Sequence, residues 1–142
     1  MGNRRWALVL RIALGALAFE CALIGFQALF FPSYFYNEFL LGRGWSAMLP
    51  PYSEHMTRDA GALYLGFFVI LAWATVRLSS ELVNASVVGF AVATVPHMVY
   101  HSFHIDAATE LFDKVAQVGA LAVTLAVCVG LLEAHRRYRL SV

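Results

Sequence analysis

"LVNASVVGFAVATVPHMVYHSF", Leu82–Phe103, decides the fold. From Ala85 to Val95 it carries no charged residue, and its length exceeds the ~18 residues that suggest a membrane-spanning helix. It has no strict alternation of apolar and polar residues. In lipid every backbone N–H and C=O must be satisfied internally, so a segment of this kind is helical. It ends in "PHMVYHSFHID", Pro96–Asp106, which holds His97, His101 and His104, three of the chain's five histidines.

Working outward, three further apolar runs appear: Trp6–Phe31, Ala60–Val76 and Val115–Leu132. Of 142 residues, 61% are hydrophobic and 13% charged, with mean hydropathy +0.69. A soluble domain has about 25% charged residues, so this chain has too few to cover a globular surface. The expected fold is all-α: a four-helix transmembrane bundle forming one integral membrane domain over 1–142, with helices at about 6–31, 60–77, 82–104 and 111–134. The first run has the basic start of a secretory signal. Its apolar stretch outlasts the ~7–15 residues of a signal core, and Glu20 precedes Cys21 against lipoprotein cleavage, so it is read as a retained anchor.

Basic residues set the expected orientation. Arg4, Arg5, Arg11, Arg77, Arg136, Arg137 and Arg139 lie toward one side; Arg43, Arg58 and Lys114 lie toward the other. Both termini are therefore expected in the cytoplasm, with 32–57 and 104–112 facing outward. The outer face also carries Glu38, Glu54, Asp59, Asp106, Glu110 and Asp113. The basic inner rim is assigned to topology, and His135 beside "RRYR" to cytoplasmic surface. The first outer connection is long, aromatic and interrupted by Pro32, Gly42, Gly44, Pro50 and Pro51. Its "SYFYNEFLL" is expected to form a short interfacial helix followed by a turn at "GRG". In the short outer connection "HIDAATELF", Thr109 is the expected cap of the last helix.

Three segments, "FPSYFYNEF", "LPPYSEHMTRDAGALYLGF" and "PHMVYHSFHID", together resemble a group of small bacterial four-helix membrane proteins loosely described as DoxX-like. The resemblance covers most of residues 31–106. It departs at Ser53, where the group's pattern has Asn, and at "FLLG", where it has "FPG". It implies the four-helix fold but no settled activity. DoxX proper is associated with thiol and quinone redox systems.

The polar residues have their own reading. His97, His101 and His104, spaced four and three apart, share one helix face. His55 and Asp59 are also four apart, at the outer start of the second helix. Glu20 lies eleven residues below Phe31, ~16 Å down. Gln27, seven residues after Glu20, shares its stripe, and Tyr64 and Gln117 lie at intermediate depths. Together, Glu20, Gln27, His55, Asp59, Tyr64, His97, His101 and His104 are expected to line a polar cavity in the outer half, with Glu20 and His97 in direct or water-mediated contact.

Three explanations stand open. The polar groups can be a hydrogen-bonded seam between helices. They can be a metal site, with His97, His101 and His55 as ligands. They can receive a lipophilic ligand or quinone, whose head meets a few convergent polar groups in an apolar cleft; intramembrane ionisable groups also mark proton paths. The expected function is a small membrane binding or accessory component; the alternative is a metal-dependent or quinone-using membrane oxidoreductase. Membrane lipid is the implied environment, a lipophilic molecule, quinone or membrane protein the implied partner, and no cofactor is identified. No basic patch suits nucleic acid. Cys21 and Cys128 form no CxxC, and counting along the helices separates them by ~9 Å, beyond disulfide reach. Gly61 and Gly66 are expected to let helices approach closely, and Pro96 to bend the third helix just before His97.

Overall fold

The computed structural model describes residues 2–39 and 42–140. The α-helices are α1 (Gly2–Phe30), α2 (Pro32–Glu38), α3 (Glu54–Arg77), α4 (Ser80–Phe103) and α5 (Leu111–Leu140), with short 3-10 turns at Trp45–Met48 and Ile105–Ala107. No strand occurs among the described residues. All but α2 are long and apolar enough to cross a membrane. Their outward faces are apolar: Phe19, Leu63, Val92, Val123 and Val129 are 63–69% exposed on the isolated chain. A surface this rich in large hydrophobic groups is stable only against lipid or a partner. The chain is an all-α, multi-pass membrane bundle, and its low charge content follows from that environment.

The helix ends differ from the hydropathy boundaries because caps and ion pairs, not apolarity, set them. α3 begins at Glu54, ahead of the expected 60. Ser53 is extended and its Oγ accepts from the Met56 N–H at 3.4 Å, with Glu54 in the first turn. α5 runs to Leu140, beyond the expected 134. Its last turns are supported by Glu133, which pairs with Arg136 at 2.9 Å and Arg137 at 2.7 Å. The Glu110 carbonyl accepts from the Lys114 N–H, so Glu110 rather than Thr109 holds the N-cap position. The short helix in the long connection starts at Pro32, suited to a first helical position, and ends at Glu38. Leu40 and Leu41, the end of the stretch expected to be helical, lie outside the described residues. α4 is a single helix through Pro96.

The long helices form a ring in the order α1, α3, α4, α5. α1 packs most extensively on α3, and the α3–α4 seam is the thinnest of the four. The α1–α3 approach is set by Gly25 and Gly61. A Cβ on Gly61 would lie 2.5 Å from the Leu29 backbone nitrogen, and one on Gly25 would lie 2.9 Å from the Gly61 carbonyl oxygen. Gly66, expected to act similarly, has nothing within 4 Å of such a Cβ; it faces away from the seam. The two helices also cap each other's ends. Arg58 donates to the Leu29 carbonyl near the end of α1, and Arg11 donates to the Thr75 carbonyl near the end of α3 at 2.6 Å. Both carbonyls lack an intrahelical partner at a helix C-terminus.

Candidate functional site

At the end of the bundle bearing the long connection, Asp113 is 2% exposed. Both its oxygens are used. Arg43 Nε donates to Oδ1 and Nη2 to Oδ2 at 2.7 Å, while Trp45 Nε1–H donates to Oδ1 at 2.8 Å. The Arg43 guanidinium also lies 5.1 Å from the centre of the Phe112 ring. This bidentate, charge-assisted pair fixes the long connection to α5 and holds the Arg43 guanidinium above its ordinary range. The "GRG" turn delivers it. Gly42 and Gly44 have φ of 73° and 59°, and a Cβ on Gly44 would lie 2.3 Å from the Asn37 carbonyl oxygen. Sequence reading located the turn but not its target. The available signal was a lone carboxylate, Asp113, at the start of an apolar helix.

Beneath this lid runs a chain of hydrogen bonds. Gln117 on α5 donates through Nε2 to the Met48 sulfur at 3.5 Å, which turns its Oε1 toward α4. His101 Nδ1 lies 2.9 Å from that oxygen, and His101 Nε2 lies 3.0 Å from His97 Nε2. The order fixes the neutral tautomers: His101 donates through Nδ1 and accepts at Nε2, so His97 donates through Nε2. His97 Nδ1 is then left as an acceptor at the open end of the chain. Rotating the Gln117 amide reverses every donor and acceptor and makes His97 Nδ1–H a donor.

His97 also forms one end of a groove of about 180 Å³ in the thin α3–α4 seam. Its other walls are Ala60, Leu63, Tyr64 and Phe67 of α3 and Phe90, Ala93 and Thr94 of α4. Phe90 packs edge-on against Phe67 and Tyr64. The Thr94 hydroxyl donates to its own helix at the Phe90 carbonyl, 2.8 Å away. The groove is therefore apolar except at Tyr64, Thr94 and His97. Leu63, 68% exposed, places its mouth on the outer face of the bundle.

The remaining predicted site residues are distributed elsewhere. Half-buried Glu20 accepts from the Thr124 hydroxyl of α5 at 3.3 and 3.4 Å, not from His97. It sits within electrostatic range of Cys21, Tyr64 and Cys128. The two thiols are free, buried and part of one apolar core. Gln27 is half-buried on α1, and its carbonyl accepts from the Phe31 N–H. His55 pairs with Asp59 at 3.2 Å on the exposed start of α3. His104 donates to the Tyr100 carbonyl at 2.8 Å and stacks on the Tyr100 ring. Arg58 pairs with Glu54 at 2.8 Å besides capping α1. Among the described residues no group of three or more His, Cys, Asp and Glu side chains is placed to hold a metal ion, and His97, His101 and His55 form no such set.

At the opposite end, His135 is not surface. It is 2% exposed, with Nδ1 3.3 Å from Asn84 Oδ1 of α4. Comparison of the chain with family profiles, curated proteins and solved structures finds no match.

Proposed function

We propose that this bundle is a small membrane binding or accessory component that takes a lipophilic ring carrying a hydroxyl or carbonyl, of the quinol–quinone class, from the lipid into the α3–α4 groove. One observation carries the reading: the apolar groove ends on His97, the open end of the His97–His101–Gln117 chain. An imidazole turned toward lipid with a free polar atom is costly, and a ligand head relieves that cost. The groove's 180 Å³ suits a single ring, since a cavity of about 150 Å³ holds benzene. In one arrangement of the chain His97 accepts from a hydroxyl. In the reversed arrangement it donates to a carbonyl. The same site thus serves both redox forms of a quinone, and this reversibility favours a quinone-using oxidoreductase as the second reading. The DoxX-like resemblance agrees with a redox-linked role.

The orientation belongs to the same proposal: both termini cytoplasmic, with the histidine chain and the Arg43–Asp113 lid on the outer side. The distribution of arginines supports it. In a variant lacking the native cysteines, an impermeant thiol reagent added from outside should label a cysteine at Ser46 and not one at Ser141, which lies outside the described residues. The opposite labelling would invert the bundle. The ligand is tested with a short-chain benzoquinone carrying a photoreactive tail. Label on peptides from 60–67 and 90–97, competed by unlabelled quinol, is the expected result. Label spread evenly over all four long helices contradicts a defined groove.

A further inference from the structure

A second pocket lies at the end of the bundle where α4 begins and α5 ends. We propose that it binds a phosphate group, the anionic head of a membrane lipid or free phosphate. Its volume is about 410 Å³ and it is lined by Asn84 of α4 and by Leu132, His135, Arg136, Arg139 and Leu140 of α5.

Three features point to a phosphate ligand. The first is charge. Arg136 and Arg139 lie three apart on one face of the last turns of α5. Arg136 is partly neutralised by Glu133, whose oxygens it meets at 2.9 and 3.3 Å. Arg139 makes no hydrogen bond or ion pair among the described residues, so its planar fork is available for bidentate contact with a phosphate. The second is an unsatisfied polar atom. His135 Nδ1 is engaged by Asn84, but Nε2 is buried without a partner. Such an orphan calls for an explanation. With the Asn84 amide turned so that its Nδ2 donates to Nδ1, the neutral imidazole carries its proton on Nε2 and donates it to the bound anion. The third is position. The pocket sits at the boundary where α4 begins and α5 ends, at head-group depth for helices that cross the bilayer. Leu132 and Leu140 flank the polar groups and offer a surface for the first carbons of an acyl chain. Exposed Asn84 adds an amide donor through Nδ2. A diffuse basic rim would attract anions without this arrangement; a buried imidazole with an idle nitrogen is what distinguishes a site from a rim.

The test uses the full-length protein in neutral detergent, with thermal unfolding followed while phosphatidylglycerol, diacylglycerol or inorganic phosphate is added. Phosphatidylglycerol should raise the melting temperature in a saturable manner while diacylglycerol does not. A comparable rise with inorganic phosphate alone identifies a soluble phosphate as sufficient; a rise with the lipid alone identifies the lipid head. Arg139→Gln and Asn84→Ala, both at exposed positions, should weaken the apparent affinity, Arg139→Gln by about tenfold, the equivalent of one charge-assisted bond. Arg5→Gln, an exposed charge on α1 outside the pocket, should leave it unchanged. No shift with either phosphate source, a shift from diacylglycerol equal to that from phosphatidylglycerol, or an equal loss in Arg5→Gln and Arg139→Gln overturns the site.

Discussion

Asp113 and His135 are equally buried, each 2% exposed near one end of α5, yet their surroundings differ completely. Asp113 has three donors from Arg43 and Trp45. His135 has one partner at 3.3 Å and an idle Nε2 beside an open pocket. A buried polar group with every bond made fastens structure together; one left partly unmade marks a place where something else can bind. By this criterion the lid end is a lock and the His135 end is the proposed receptor. The α1–α3 and α3–α4 seams repeat the contrast: glycines and reciprocal arginine caps close the first, and the second stays open as a groove ending on His97.

The contrast can be broken most forcefully at the lock. Asp113→Ala should give the largest fall in melting temperature of any single change discussed, because it leaves Arg43 and Trp45 without their acceptor. A fall no larger than that of His135→Leu removes the distinction between the two ends. Next in size, Gly61→Ala forces a Cβ against the α1 backbone and should destabilise by about 1–3 kcal/mol, as read by thermal or denaturant unfolding. Gly66→Ala, with open space around it, should instead be neutral or gain about 0.5–1 kcal/mol from helix propensity. His135→Leu should cost only about 0.5–1.5 kcal/mol, since exposed Asn84 can turn to water, and it should abolish the phosphate-dependent rise in melting temperature.

The smallest effect concerns the exposed ion pair of Asp106 with Lys114, 2.8 Å apart. Lys114 holds the Asp106 carboxyl below the usual range. A depressed folded value means that its contribution is present above the unfolded carboxylate range and is lost as pH falls through the folded value. Asp106→Asn should therefore narrow any difference between melting at neutral and acid pH very slightly, and a large effect would show that this short turn matters more than its exposure suggests.

The bundle was legible in the sequence because lipid imposes it. Long uncharged runs have one stable form in a bilayer, and Leu82–Phe103 alone establishes that. Helix ends were less legible: "EHMTRD" is polar, so hydropathy placed the start of α3 after it, whereas the Ser53 cap places the start before it. The spacing of His97 and His101 correctly suggested one shared face. Their partner across the bundle was not legible, since which α5 residue faces them depends on helix rotation; Gln117 meets His101 while Glu20 turns to Thr124. Pairs distant in sequence, such as Arg43 with Asp113 and Asn84 with His135, leave no local pattern. The last was hidden further because "HRRYR" has the composition of a solvated helix end, although one of its residues turns inward.

The central claim is that the His97 end of the α3–α4 groove receives a polar ligand head. Its most direct measurement is the dissociation constant of a short-chain benzoquinol for the wild type, His97→Ala and Ala93→Phe, in neutral detergent by isothermal titration calorimetry. Ala93→Phe fills the groove while leaving His97 in place, and His97→Ala removes the chain's open end without filling the groove. Each should weaken binding by about tenfold or more, the equivalent of ~1.4 kcal/mol or more, while leaving the helical content unchanged. Wild-type affinity in both variants, with the fold intact, would contradict the account.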